Sequence, residues 1–175
     1  DLEIPDDDYK MAAVMERDKA NFESPNIWFY VGADSRNPGF AKVGITMGDL
    51  SSRSYSSANP NYYLFCAFQC IQDTTKSQLE SIELRALAYL DGVFPNHRER
   101  HMESQRLSEC YYNIDFEEFF SCLHDYLLEN HHSNFQTTSF ENEAGVEEGY
   151  ALAWRFNPRL SREVQSRFRD LILRY

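Results

Sequence analysis

The 175 residues carry 28 acidic and 17 basic side chains, a net charge of −11, and are 42% hydrophobic and 15% aromatic. This composition is typical of a folded globular chain and excludes an intrinsically disordered one. The longest apolar runs are far shorter than the roughly 20 residues that span a bilayer, so we expect no membrane role. The net negative charge excludes DNA binding by bulk attraction, so any contact with nucleic acid requires local basic patches.

The cysteines indicate a reducing compartment. Cys66, Cys70, Cys110 and Cys122 are too few for a disulfide scaffold, and their spacing matches no zinc-finger pattern. We therefore expect the protein to be cytoplasmic, or nuclear if it is eukaryotic. Cys66 and Cys70 would share one face of a strand, where buried apolar thiols are far more common than a metal site. The first residue is Asp1 rather than Met, as in a piece excised from a longer polypeptide.

The chain opens with an acidic segment and then a predicted β-hairpin. Residues 1–25 predict a solvated acidic lead-in followed by a helix. Residues 27–31 and 40–45 are short β-rich runs. The segment between them, residues 32–39, is full of turn formers, so we expect the two runs to pair as a hairpin.

Strands and helices alternate through the middle of the chain. We expect a short polar helix over residues 49–58, a central strand over 61–71, a helix over 75–90, a strand over 107–114 and an amphipathic helix over 116–129. The helix over 75–90 has the clearest signal, because its apolar residues recur at helical spacing. Together these elements predict packed α and β layers.

The last part of the chain divides into a polar segment and a basic one. Residues 131–148 are polar and predict a linker or a long loop. Residues 149–175 form a C-terminal extension with six arginines and two acidic residues, a net charge of +4. We expect a strand over 150–156, and then a helix with Asn157 as its N-cap and Pro158 as its first residue.

Glu83 stands out within the predicted helix over 75–90. At helical spacing it lies inside the apolar stripe, between Leu79 and Leu87. A carboxylate there must be paired, protonated or bound to a metal, because an unpaired buried charge costs several kcal/mol. The alternatives to a metal site are a salt bridge to Arg53 or Arg85, or exposure at the edge of the stripe.

An ordered series of motifs resembles the GIY-YIG nuclease superfamily. The series is Trp28-Phe29-Tyr30-Val31, then Ala41-Lys42-Val43-Gly44-Ile45-Thr46, Arg53, Asn59-Pro60-Asn61-Tyr62-Tyr63-Leu64, Ile82-Glu83 and Glu109-Cys110-Tyr111. The resemblance covers residues 26–130 and is greatest to the phage and bacterial branch, whose second motif reads Lys-Ile-Gly and whose last element reads Glu-Trp-Phe. Two departures are a first motif without its glycine and Lys42 in place of the second-motif tyrosine. The specificity lies in the ordered spacing, since each motif alone is weak.

The resemblance implies a set of catalytic roles. Tyr30 would deprotonate or orient the attacking water, with Lys42 as the neighbouring cation that brings its phenolate within reach. Arg53 would hold the scissile phosphate. Glu83 would bind a single divalent ion, Mg²⁺ or Mn²⁺. Gly44 would permit close backbone approach to the phosphate. Taken singly, Tyr30 also fits a core aromatic residue, Arg53 a surface arginine and Lys42 a solvated strand residue.

Two basic segments are candidates for nucleic-acid contact. Residues 96–101 carry two histidines four apart, but no helix is evident there, so we favour a basic loop that brings Arg98 and Arg100 near the phosphate path over a zinc site. The second basic segment is the C-terminal extension, whose arginines could bind backbone phosphate or pair with the acidic body of the protein. The arginines that we expect to contact nucleic acid there are Arg155, Arg159, Arg162 and Arg167.

These observations lead to one expected fold and two expected functions. The fold is α/β, of the α+β type: a small GIY-YIG-like domain with a central, mainly antiparallel three-stranded sheet flanked by helices, plus a C-terminal strand–helix extension. The expected function is that of a metal-dependent endonuclease that hydrolyses phosphodiester bonds in DNA. The alternative is a catalytically inactive GIY-YIG-like module that binds proteins or regulates them, or an acidic mimic of nucleic acid. DNA is the expected partner, and a homodimer or a partner protein is compatible with the sequence.

Overall fold

The computed structural model describes residues 26–54, 58–141 and 143–173. The predicted acidic lead-in and helix over 1–25 lie outside the described residues. The described helices are α1 (Lys76–Val93), α2 (Phe116–His131) and α3 (Arg162–Ile172), with 3₁₀ turns at Leu50–Arg53 and His132–Asn134. The strands are β1 (Trp28–Asp34), β2 (Asn37–Thr46), β3 (Tyr62–Gln69), β4 (Arg98–Arg100), β5 (Leu107–Tyr111), β6 (Thr137–Glu141), β7 (Glu147–Leu152) and β8 (Trp154–Phe156).

Six of the strands form one sheet in the order β4-β5-β2-β1-β3-β8. Every pairing in it is antiparallel. The mixed α and β composition and the antiparallel sheet confirm the coarse prediction of an α+β fold. The predicted three-stranded sheet corresponds to β2-β1-β3 alone, because β5 and β4 extend it on one side and β8 on the other.

The hairpin of β1 and β2 is confirmed, but its turn is tighter than expected. Only Ser35 and Arg36 connect the two strands, since Asp34 pairs directly with Asn37. The carboxylate of Asp34 accepts a hydrogen bond of 2.8 Å from the backbone N–H of Arg36 and so closes the turn locally. The turn formers in residues 32–39 therefore include residues that belong to the strands.

Both predicted amphipathic helices are present. Helix α1 begins with a capping box in which Thr75 and Gln78 exchange side-chain hydrogen bonds with each other's backbone N–H. The predicted apolar stripe of this helix is buried at Leu79, Ile82, Ala86 and Leu90, whereas Tyr89, which was predicted to share it, is exposed. Helix α2 follows the N-cap Asp115. Among the described residues, no helix is both long enough and apolar enough to cross a membrane.

Alternate residues of β1 face two different apolar clusters. Phe29 and Val31 belong to the main core, which the apolar sides of the three helices complete. The opposite side of the sheet, which we call the Tyr30 face, carries a smaller apolar cluster. Its buried apolar residues are Trp28, Tyr30, Leu50, Leu64 and Ala67.

Several segments differ from the sequence prediction at their ends. The short helix expected over 49–58 is a 3₁₀ turn at Leu50–Arg53, and residues 55–57 lie outside the described part of the chain. The strand expected over 61–71 is β3, Tyr62–Gln69, which is interior to the sheet between β1 and β8. The strand expected over 107–114 ends at Tyr111. Positive φ at Asn113 breaks the extended conformation there.

The expected polar linker over 131–148 is wrong as a description of that segment. A 3₁₀ turn at its start is followed by an antiparallel hairpin of β6 and β7. The predicted strand over 150–156 is split between the end of β7 and β8, and β8 pairs with β3 in the main sheet. The C-terminal residues therefore complete the same fold rather than extending from it.

The start of the last helix was also predicted four residues too early. Ser161 is the N-cap of α3, and its hydroxyl accepts from the backbone N–H of Val164. Asn157 is instead buried, and its side-chain amide donates to the carbonyl of Leu64 at 2.8 Å. Its Oδ1, the atom that a helix cap would use, accepts from the backbone N–H of Arg159 at 3.0 Å, so Asn157 closes a separate turn before the helix.

Candidate functional site

Tyr30 lies in a row of residues that crosses four strands. It pairs with Gly44 on β2 and with Ala67 on β3, and Ala67 pairs in turn with Arg155 on β8. Directly opposed residues point to the same side of a sheet, so all four share the Tyr30 face. Two small residues therefore flank the phenol, and an arginine lies beyond one of them.

Gly44 makes room for the ring of Tyr30. A Cβ atom built on Gly44 would lie 2.2 Å from Cζ and 2.3 Å from the hydroxyl oxygen of Tyr30. The phenol is therefore laid directly over the glycine, and any side chain would displace it. The resemblance implied that Gly44 admits a phosphate to the backbone, whereas here the phenol occupies that space.

Tyr30 is a neutral phenol at ordinary pH. Its side chain is only 4% exposed, and burial raises its pKa to about 12. Arg53 opposes this rise, whereas Glu109, Glu83 and Cys110 add to it. The expectation that Lys42 gives a phenolate is not supported, because Arg53 is the cation that acts on the phenol and burial outweighs it.

Arg53 stands at the end of the 3₁₀ turn that covers the Tyr30 face. Asp49 caps this turn by accepting from the backbone N–H of Ser51 at 2.8 Å, and Leu50 is fully buried against the sheet. The side chain of Arg53 is exposed, and no hydrogen bond or ion pair within the described residues engages its guanidinium. A fixed turn thus holds a free cation beside Tyr30.

Glu83 is a half-buried carboxyl group on α1 with an unsatisfied oxygen. Its Oε2 atom is buried and has no hydrogen-bond partner within the described residues. Burial raises its pKa to about 7, and the Glu109 carboxyl adds to this through charge repulsion and a hydrogen bond between the two groups. Glu80 also raises the pKa, and Lys42 lowers it. The alternative of a salt bridge to an arginine is not found for Glu83 in the described residues.

The register between β5 and α1 explains why Glu109 meets Glu83. The hydroxyl of Tyr111 donates to Asp91 at 2.8 Å and also lies 3.3 Å from the carbonyl of Leu87. Glu109 is two residues before Tyr111 on the same side of the strand, about 6.7 Å away. Glu83 is four residues before Leu87 on the same side of the helix, about 6 Å away. The distance along the strand and the distance along the helix are nearly equal, so the two carboxyl groups lie next to each other.

Lys42 interacts with Tyr62 and Glu83 rather than with Tyr30. It lies between Gly32 on β1 and Cys110 on β5, and its Nζ is 5.4 Å from the centroid of the Tyr62 ring. Gly32 admits that ring, since a Cβ atom there would lie 2.3 Å from it. The charge of Lys42 lowers the pKa of Glu83. Its ammonium group is therefore shared between an aromatic ring and an acid.

The phenol and the acid pair come from different sides of the sheet and approach each other where two strands separate. Strands β2 and β5 pair only through residues 41–42 and 110–111. The remainder of β5, which carries Glu109, leaves β2 at this point. Both Glu109 and Glu83 raise the pKa of Tyr30, so the three groups are electrostatic neighbours at this opening.

Four buried side-chain polar atoms of the described residues are unsatisfied. In the described part of the chain, the buried side-chain atoms without a hydrogen-bond partner are Trp28 Nε1, Tyr62 OH, Glu83 Oε2 and Arg98 Nε. The first belongs to the Tyr30 face, and the next two share electrostatic interactions with Tyr30. Buried polar atoms in proteins are almost always paired, so the unpaired Tyr62 OH and Glu83 Oε2 each mark a position that calls for a polar partner.

The acid pair fits a divalent cation. Carboxylate oxygens suit Mg²⁺ and Mn²⁺, which are commonly held by one or two carboxylates together with water. Glu83 supplies an unpaired oxygen, and Glu109 supplies a second carboxylate beside it. Within residues 26–54, 58–141 and 143–173, no group of three or more His, Cys, Asp or Glu side chains is placed to hold a metal.

Arg98 has a structural position that the sequence did not indicate. It forms a 2.7 Å ion pair with Asp91 and donates to the carbonyl of Ser108 at 3.2 Å. Arg100 donates to the carbonyl of Gln105 at 2.7 Å. The predicted basic loop is the edge strand β4, and the guanidinium of Arg98 is already engaged by a carboxylate. The prediction that Arg98 binds phosphate is therefore corrected.

The arginines of the C-terminal residues are divided between two sides of the sheet. Arg155 shares the Tyr30 face and donates to the carbonyl of Trp154. Arg167 belongs to α3, on the helical side, where it lies 3.8 Å from Glu117 in an exposed ion pair of little energetic weight. Arg159 and Arg162 are exposed. Of the four predicted contacts, Arg155 alone lies in the row that includes Tyr30.

The remaining histidine and cysteine candidates are structural. His124 is fully buried, and its Nε2 accepts from the backbone N–H of Leu152 at 3.1 Å. His97 and His101 lie at the two ends of β4 rather than on a helix. Cys66 and Cys70 are buried free thiols, and burial raises the pKa of each, as expected for small apolar residues.

Comparison with known proteins gives no relative. No protein-family model, curated protein or solved structure matches the chain. The membership in the GIY-YIG superfamily that the motifs suggest therefore stays a prediction.

Proposed function

We propose that the protein is a metal-dependent endonuclease that hydrolyses phosphodiester bonds in DNA. The observation that carries the proposal is the Glu83–Glu109 acid pair, with one unpaired buried oxygen, as an electrostatic neighbour of the Tyr30 phenol. The free guanidinium of Arg53 acts on the same phenol. Carboxylates, a phenol and an unpaired arginine in one place suit phosphoryl transfer, where catalysis consists mainly of positioning and charge stabilisation.

Arg53 is assigned to the scissile phosphate. Its side chain is exposed at the end of a turn that Asp49 caps and Leu50 anchors. A guanidinium can give two parallel hydrogen bonds to phosphate oxygens and offset the charge that gathers on them during hydrolysis.

Tyr30 acts as a neutral hydrogen-bond donor in this proposal. With a pKa raised to about 12, its phenol keeps its proton throughout the neutral range. It would orient the attacking water or donate to a non-bridging phosphate oxygen. The resemblance implied a phenolate base, and this role replaces it.

The divalent ion, Mg²⁺ or Mn²⁺, would be held by Glu83. When bound, such an ion polarises a phosphoryl oxygen and lowers the pKa of a coordinated water. Lys42 would offset part of the negative charge there, since it already lowers the pKa of Glu83. In this proposal Arg155, which shares the Tyr30 face and pairs with Ala67, contacts backbone phosphate.

A second candidate function is a GIY-YIG-like module that binds a protein and does not cut. The specific observations that favour it are the 4% exposure of Tyr30 and the net charge of −11. A nearly buried phenol must become accessible before it can contact a substrate, and a strongly acidic surface repels DNA. This function needs neither Arg53 nor Glu83.

Cleavage of supercoiled plasmid DNA with Mg²⁺ or Mn²⁺ separates the two functions. Glu83→Ala and Arg53→Ala should each lower the nicking rate by about 10²-fold or more. Glu80→Ala and Arg85→Ala are matched controls, because both are exposed residues of the same helix, and they should cut like the wild type. Equal cutting by all five proteins would identify a contaminant. An inactive wild type under every metal condition would favour the binding module.

A further inference from the structure

We infer that Glu109 is a second carboxylate ligand of the divalent cation that Glu83 binds, an inference that rests on the proposed function. The two side chains come from different elements, β5 and α1, and meet through a carboxyl–carboxyl contact. The sequence motifs gave a metal role to Glu83 alone. The structure adds Glu109 as a second carboxylate that can bind the same ion.

The contact between the two acids is fixed by a polar network about two helical turns further along α1. Asp91 of α1 accepts from Tyr111 at 2.8 Å and pairs with Arg98 of β4 at 2.7 Å. Arg98 also donates to the carbonyl of Ser108, directly before Glu109. These bonds tie β4 and β5 to α1, so Glu109 is held against Glu83 by rigid elements rather than by a loop.

The charge around the pair is unbalanced. Two carboxylates that face each other across a partly buried contact repel, and the repulsion is relieved by a proton or by a cation. Lys42 is the cation that acts on Glu83, but its Nζ also lies over the ring of Tyr62. A divalent ion bound between the two carboxylates would use the unpaired Oε2 of Glu83 and offset both charges.

Glu109 lies just beyond the paired part of β2 and β5. The pairing of β2 with β5 stops at Lys42 and Cys110, so the backbone beside Glu109 is not closed over by β2. Glu109 also contributes to the electrostatic field at Tyr30. An ion held by both glutamates would therefore lie near the phenol that the proposed function uses.

The test is direct binding of Mn²⁺, measured by calorimetry and by the loss of the free Mn²⁺ signal in electron paramagnetic resonance. The proteins are the wild-type chain, Glu83→Gln, Glu109→Gln and the double variant. Glu80→Gln is the control, because Glu80 is an exposed acid on the same helix and contributes to the local negative charge. Glutamine keeps the shape and removes the anionic donor. Circular dichroism confirms that each variant is folded.

We expect Glu109→Gln to weaken Mn²⁺ binding by about tenfold or more, as Glu83→Gln does, and Glu80→Gln by less than about threefold. Glu109→Gln with wild-type affinity, or a wild-type chain that binds no Mn²⁺, would overturn the inference. Loss of binding in both variants from a wild-type chain that does not cut DNA would support the ligand and refute the nuclease. A Glu109→Gln variant that binds Mn²⁺ normally and cuts DNA would refute Glu109 as a ligand and support the nuclease.

Discussion

Replacing Glu83 by glutamine should remove a measurable part of the pH dependence of stability. In the metal-free protein, burial and then Glu109 raise the pKa of Glu83 from 4.5 to about 7. The folded chain thus holds this proton more tightly than the unfolded chain. Stability from the protonated group is fully present below about pH 4.5 and is lost as the pH rises through 7.

The magnitude follows from the size of the rise. At about 1.4 kcal/mol per pH unit, the change from 4.5 to about 7 sets a ceiling of about 3.5 kcal/mol. Glu83 is only half-buried, so solvent screening reduces the expected loss to about 1–2 kcal/mol between pH 5 and pH 7.5. Glu83→Gln has no carboxylate at this position and should not show this part of the loss.

Urea unfolding at pH 5.0 and pH 7.5 in the presence of EDTA measures the effect. The quantity to compare is the difference between the two free energies of unfolding, taken for the wild type, Glu83→Gln and Glu129→Gln. Glu129 is an exposed residue near the end of α2, and its variant should follow the wild type. An identical difference in all three proteins would refute the reasoning. It would mean that Glu83 is solvated and that the acid pair does not exist in solution.

Two further predictions concern the Tyr30 face. Gly44→Ala should lower the free energy of unfolding by about 1–3 kcal/mol and abolish any DNA cleavage, because its Cβ would lie 2.2 Å from the ring of Tyr30. Gly48→Ala is the control in chemical denaturation, since a Cβ there meets nothing within 4 Å. Arg155→Ala should reduce the slope of log affinity for DNA against log salt concentration by about 1, whereas Arg167→Ala, on the helical side, should leave it unchanged. An equal slope for Arg155→Ala and the wild type, measured by fluorescence anisotropy, would exclude Arg155 from the DNA contact.

The parts of the fold that the sequence predicts are those encoded locally. The apolar stripe of α1 and the capping box at Thr75 lie within one turn or a few turns of helix, so periodicity and caps identify them. The hairpin of β1 and β2 is also local, and only its turn was misjudged. The acid at Glu83 was found because it interrupts that stripe.

The parts that were missed depend on pairing between distant segments. The pairing of β8 with β3 joins residues about 90 positions apart, and no local pattern indicates it. The hairpin of β6 and β7 was predicted as a linker because its composition is polar, although strands with a solvated side tolerate such residues. Asn157 is a good N-cap by type, but its Oδ1 accepts from Arg159 in a separate turn, and its amide donates to the distant carbonyl of Leu64.

Glu109 shows how a site residue escapes sequence analysis. Alternation along β5 places it on the same side as Tyr111, which is a usable signal only once Tyr111 is known to face α1. Its partner Glu83 lies 26 residues earlier, on a helix. The matched steps of strand and helix that bring the two together become visible only in three dimensions.

Arg98 shows that a basic residue in an acidic chain can be engaged by a carboxylate of the same protein rather than by a polyanion. A basic run invites assignment to a polyanion, yet this guanidinium is 15% exposed and its nearest anion is Asp91 at 2.7 Å. Releasing it to a phosphate would leave that partly buried carboxylate unpaired, at a cost of several kcal/mol. The same release would loosen β5, and with it Glu109, from α1. Arg98 therefore contributes to the proposed chemistry by fixing the position of Glu109. The proposed phosphate contacts are made by Arg53 and Arg155, whose charges have no carboxylate partner among the described residues.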